Sequence, residues 1–140
     1  MSTHLKKRQE KLLQILSAIA EESAKGTPII VEGKKDAEAL HTLGVEGNVI
    51  TAKTGGKTFL DVVSKIEQLR ASKAVLLLDF DRRGKQGTQR LKQSLEHTKI
   101  RPNTTFWREL SALVGREIQC VESLTAYLRN LNTKIAASAN

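Results

Sequence analysis

Residues 29–40 read IIVEGKKDAEAL. Ile29, Ile30 and Val31 have the composition of a short buried strand. The following KKDAEALHTL is helical in composition and runs into Gly44, a residue suited to the position after a helix C-terminus. Between strand and helix stand Glu32 and Gly33, followed by Lys34 and Lys35. A carboxylate where an apolar strand runs out marks the rim at which ligands of α/β proteins collect.

The pattern recurs downstream. KAVLLLDF, residues 73–80, is the most apolar run in the chain and reads as a central parallel strand. It runs out at Asp79 and Asp81. Around these two runs, NVITA at 48–52 predicts a strand, and Phe59, Val62, Val63, Ile66 and Leu69 predict a helix over 58–70. Thr54, Gly55 and Gly56 predict a turn, and a polar helix is expected from Gly87 to His97. IRPNTTF, 100–106, has room for a short strand. Phe106, Trp107, Leu110, Leu113 and Val114 predict a helix closing at Gly115, and Leu124, Leu128 and Leu131 a last one. REIQCVE, 116–122, alternates as a strand should. Upstream, Leu5, Leu12, Leu16 and Ile19 predict an amphipathic helix over residues 3–24, stopped by KGTP. The expected organisation is an N-terminal helix over 1–25, a domain over 27–131 and a flexible tail over 132–140. The alternation implies an α/β fold, with a mostly parallel sheet flanked by helices.

A chain of 140 residues can bury a real core without disulfides. Its net charge of +8 favours an anionic partner, nucleic acid first. Aromatic residues make up 4%, which disfavours rows of rings stacked on bases. Cys120 is the sole cysteine, so no internal disulfide forms and a reducing, cytoplasmic location is expected. No apolar stretch approaches the roughly 20 residues that span a bilayer, and the N-terminus has no continuous apolar segment of the secretory kind.

Asp79 and Asp81 are two apart, so on extended backbone both face one side. If the two strands are neighbours, Glu32 joins them. Like charges about 4 Å apart repel by about 4 kcal/mol at an effective dielectric near 20. A divalent cation relieves this, and hard oxygen ligands suit Mg²⁺, Mn²⁺ or Ca²⁺. The competing reading is structural: Lys34, Lys35, Arg82 and Arg83 could neutralise the acids, and Asp often caps helices.

IIVEGKKDAEAL followed by VLLLDFDRRG resembles the Toprim domain of topoisomerases and primases. The pattern is an apolar strand ending in Glu-Gly, an Asp a few residues on, then a second apolar strand ending in Asp-x-Asp with a later Gly. Here these are Glu32, Gly33, Asp36, Asp79, Asp81 and Gly84. The resemblance spans roughly residues 27–100. It implies a Rossmann-like Toprim fold with an extra N-terminal helix, and a Mg²⁺-dependent acidic site (Mn²⁺ as substitute) acting on phosphodiesters. It implies Glu32 as general acid or base and as a ligand beside Asp79 and Asp81, with Asp36 supporting them from behind. A topoisomerase's strand-breaking tyrosine is not matched, since Tyr127 lies in a leucine-spaced helix. A primase's zinc module is excluded by the single cysteine. A small stand-alone Toprim protein remains, nuclease-like, with RNA, DNA or a ribonucleoprotein as partner. The alternative is a binding module without chemistry, and a weaker third reading is a nucleotide-binding protein.

Phosphate contacts are expected from Lys34, Lys35, Lys53, Lys57, Arg82, Arg83, Lys85 and Arg90, which border the proposed rim. TGGKT at 54–58 has Thr51 where a P-loop needs glycine, so that type of nucleotide hydrolysis is excluded. His4, His41 and His97 have no metal-ligand spacing. Trp107 is expected in the core.

Overall fold

The computed structural model describes residues 3–53 and 59–138. Its elements, in order, are α1 (Thr3–Ala24), β1 (Ile29–Val31), α2 (Lys34–Thr42), β2 (Val49–Thr51), α3 (Phe59–Gln68), β3 (Lys73–Leu77), α4 (Arg82–His97), β4 (Arg101–Asn103), α5 (Thr105–Val114) and α6 (Leu124–Ser138). A 3₁₀ turn, Val121–Ser123, precedes α6. The strands form one parallel sheet in the order β2-β1-β3-β4.

The strands are buried on both faces because their residues alternate between two helical layers. Ile29, Val31, Val75 and Leu77 face the layer that holds α1, α2, α5 and α6. Ile30, Ala74, Leu76 and Leu78 face α3 and α4. The amphipathic α1 is part of this core: Leu12, Ile15, Leu16 and Ile19 are buried within the first cluster. Helix α2 ends as its sequence predicts, with Gly44 at φ +97°, a left-handed conformation that glycine adopts at little cost.

Three expectations need correction. Residues 116–122 are not a strand. They cross the rim of the sheet as turns and enter the 3₁₀ turn, with Val121 buried in the core. Their alternation reflects single side chains dipping inward, not a ladder. Helix α4 begins at Arg82, five residues before the expected Gly87. Asp81 caps it, its Oδ1 accepting from the Gly84 amide at 2.7 Å, and this outweighs the helix-weakening glycines 84 and 87. The third strand stops at Leu77, so Asp79 lies in a loop and Asp81 at a helix cap. Two lesser differences concern the IRPNTTF stretch, which the sequence left open, and the flexible tail expected over 132–140. IRPNTTF does hold a short strand, β4. Helix α6 runs on to Ser138, through an alanine-containing stretch with good helix propensity. The turn expected at Thr54–Gly56 lies outside the described residues.

Candidate functional site

The strand order reverses direction between β1 and β3: the chain leaves β1 towards β2 and leaves β3 towards β4. Clefts at such switch points, beyond the carboxyl ends of the strands, are where open α/β sheets bind ligands. Val31 pairs with Leu77 in this sheet. Glu32 therefore emerges beside the loop that carries Asp79 and Asp81.

Each acid is held by local structure. Backbone bonding continues one residue past β1 and two past β2, with the Lys53 amide donating to the Glu32 carbonyl at 3.1 Å. This sets the Lys53 ammonium 3.6 Å from Glu32 Oε1. The Glu32 side chain is only 12% exposed, so its charge is partly shielded from water. Asp36 is buried and acts as a latch. Its Oδ2 accepts from the Gly33 amide at 3.0 Å and its Oδ1 from the Glu122 amide at 2.8 Å. It thereby ties the Glu-Gly turn to the segment that crosses the rim.

The 78–81 loop is clamped from three sides. The Trp107 indole Nε1 donates to the carbonyls of Leu78 and Asp79, at 3.0 and 3.2 Å. The Phe80 amide donates to the Gln119 carbonyl at 2.7 Å. Gly84 lies so close beneath that a Cβ there would collide with the Asp79 carbonyl. That is the structural reason for a glycine three residues after Asp81.

The electrostatics follow from this crowding. Burial pushes the Asp79 carboxyl up to about 6, and Glu32, Asp36 and Asp81 add to the effect, against the pull of Lys53. Each of the other three predicted acids thus lies within electrostatic reach of Asp79. The cationic neutralisation that the sequence left open is slight. Among the described residues, Lys53 alone pairs with one of these acids, while Lys34, Lys35, Arg82 and Arg83 are exposed and form no ion pair.

One grouping was not legible in sequence. Asp36, Cys120 and Glu122 each offer a ligand atom within 4.8 Å of the others, a tightness that Glu32, Asp79 and Asp81 do not reach among the described residues. Cys120 and Glu122 come to the rim through the crossing segment, misread as a strand. Of the expected phosphate contacts, Lys53, Arg83 and Arg90 line a cleft of about 360 Å³ that also includes Glu32, Phe59 and Gln86. Arg82 and Lys85 are exposed on α4, Lys34 and Lys35 at the start of α2, and Lys57 lies outside the described residues.

Residues 27–133 match the Toprim domain family. The chain belongs to the Toprim family. Among its relatives, a UPF0292 protein of Methanocaldococcus jannaschii is 38% identical over 120 residues, covering 85% of this chain and 91% of that protein. A UPF0292 protein of Methanosarcina barkeri is 34% identical over 129 residues, covering 92% of this chain and 88% of that one. The solved structure of a protein from Aquifex aeolicus superposes with a TM-score of 0.67 at 28% identity, covering 79% of this chain and 94% of that one. A Toprim domain implies a metal-dependent function related to nucleic acid. The donor set at this rim suits such an ion: hard carboxylate oxygens, crowded enough to raise one proton affinity, with Lys53 the one lysine paired to them among the described residues. No helix among the described residues is long and apolar enough to cross a membrane.

Proposed function

We propose that this small Toprim protein cleaves or transfers phosphodiesters in RNA or DNA, using Mg²⁺ at the acidic rim. The observation that carries the reading is the gathering of Glu32, Asp36 and Asp81 about Asp79 at the switch point, where Val31 pairs with Leu77, with Lys53 the one cation paired to these acids among the described residues. Glu32, Asp79 and Asp81 would hold the ion, Mn²⁺ serving as substitute. A bound divalent ion supplies charge stabilisation to a phosphoryl oxygen. Glu32, partly buried and set by its backbone bond to Lys53, would move a proton at the attacking or leaving oxygen. Lys53, Arg83 and Arg90 flank it and would hold the neighbouring phosphates. Asp36 orients the Glu-Gly turn without reaching the substrate.

Asp79→Asn combined with Asp81→Asn tests the reading. Asn remains a good helix cap, so the fold should survive. On a panel of structured RNAs and DNA duplexes with Mg²⁺ or Mn²⁺, turnover should fall by about 100-fold or more, the range of charge-stabilising groups, with unchanged circular dichroism. A wild-type protein that cleaves nothing on the panel removes the catalytic reading. The second reading, a binding module without chemistry, draws on the cations of α4, which form no ion pair among the described residues. Its mark is salt-sensitive binding that Glu32→Gln leaves intact.

A further inference from the structure

Helix α4 starts at the acidic loop and leads away from it for 16 residues, about 24 Å. Its buried side is Gly84, Thr88, Leu91 and Leu95. Its outer side carries two rows at helical spacing: Arg82, Lys85, Gln89 and Lys92, and beside them Arg83, Gln86, Arg90 and Gln93. All eight residues are exposed. No acid interrupts the helix before Glu96, and none of its five arginines and lysines forms an ion pair among the described residues.

A solvated helix face ordinarily mixes charges of both signs, since opposite charges three or four apart stabilise it. This one mixes cations with glutamines, which donate and accept hydrogen bonds but carry no charge. The second row is continuous with the cleft at Glu32: Arg83, Gln86 and Arg90 line that cleft, and Gln86, Gln89, Arg90 and Gln93 line the depression beyond it. Rings are scarce along the path. Phe59 is partly buried at the cleft, and Trp107 is engaged by two carbonyls and packed at a tilt against Phe80. Proteins that grip single strands rely on exposed rings for stacking. A straight cationic helix without such rings suits the regular backbone of a duplex instead.

We propose that the outer face of α4 is a track for the phosphate backbone of double-stranded nucleic acid, leading the duplex to the acidic rim. The track rests on the phosphodiester reading above and extends it to the form of the substrate. Its far end, Arg90, Gln93 and Lys92, grips phosphates several nucleotides from the reacting bond.

The experiment measures binding with the metal chelated, so that no turnover intrudes. Fluorescence anisotropy is read for a labelled 20-base-pair RNA duplex, the matching DNA duplex and each separated strand, over a range of salt. Wild type should bind at least one duplex about tenfold or more tighter than its strands. Arg90→Ala with Lys92→Ala, both at exposed positions, should weaken that duplex about tenfold. It should also make the slope of log K against log salt shallower by nearly two, at about 0.9 per lost phosphate contact. The RNA and DNA arms tell which duplex is used. Equal or tighter binding of single strands, no duplex binding, or a slope untouched by the double variant each overturns the track. The two readings separate cleanly. Duplex binding through α4 without cleavage by wild type leaves the track and removes the catalysis, while cleavage by a wild type that binds single strands as tightly as duplex does the reverse.

Discussion

Glu22 and Asp79 are carboxylates near opposite ends of β3, and their environments push them in opposite directions. Glu22 accepts from the Thr27 hydroxyl at 3.0 Å and faces Lys73 at 3.3 Å and Lys25 at 3.4 Å. The Thr27 bond, followed by the two lysines, holds it below the ordinary carboxylate range. Asp79 sits among like charges and is pushed up. The same contrast holds more widely. On the α1 side, Arg8 donates to Glu117 at 2.8 Å, to the Tyr127 hydroxyl at 2.7 Å and to the Leu113 carbonyl at 3.3 Å, and Lys11 pairs with Glu109 at 3.6 Å. At the rim acids gather about Asp79 with only Lys53 paired to one of them among the described residues, and along α4 the arginines and lysines form no ion pair with any described residue. Paired charges fasten α1 to the domain. Unpaired ones cost stability and are the expected mark of a site that awaits a partner.

That contrast can be broken most forcefully at Asp36, the one rim acid that is fully hydrogen-bonded. Asp36→Ala strands two backbone amides, Gly33 and Glu122, beside a buried position. It should destabilise the protein by about 3 kcal/mol, seen in urea unfolding. A loss under about 1 kcal/mol would show that Asp36 belongs with the unpaired acids and not with the structural ones.

The second test uses pH. Asp79 binds its proton more tightly folded than unfolded, so its contribution is present below the unfolded value of 3.8 and is lost as pH rises through about 6. Asp79→Asn is neutral throughout. In chelator, the melting temperature of the variant relative to wild type should therefore rise between pH 4 and 6.5 and then level off. Solvent at this half-buried group screens the effect to a few degrees. Added Mg²⁺ should stabilise wild type at pH 7.5 and not at pH 4.5. A gap that is flat with pH would contradict the crowding at the rim.

The smallest effect compares two arginines. Arg8→Ala should cost about 1.5 kcal/mol, the lower end of the range for hydrogen bonds to charged groups, since its partner Glu117 is exposed. Arg82→Ala should stay within about 0.5 kcal/mol, as at a surface site without partners. Equal costs, read from the same chemical melts, would erase the distinction between the two regions.

Sequence and structure agree where the signal is local. Glu32, Asp79 and Asp81 stand out because apolar runs end at them, and the runs themselves are dictated by burial on both faces of the sheet. The misreadings come from long-range contacts and from one competition between local signals. Nothing near Asp36 announces a partner 86 residues away, nor does REIQCVE reveal that its amide at Glu122 is destined for that carboxylate. At α4, glycines 84 and 87 argue against a helix and the Asp81 cap argues for one. The cap prevails because Gly84 is required by the Asp79 carbonyl above it, a constraint visible only in three dimensions.

Trp107 is the chain's sole tryptophan, and its indole is fastened to the loop that bears Asp79. Tryptophan emission from this protein is therefore a single-site signal. Any ion or phosphate that shifts the loop will alter the colour or intensity of that fluorophore without a label. The molecule carries its own optical gauge of occupancy at the rim.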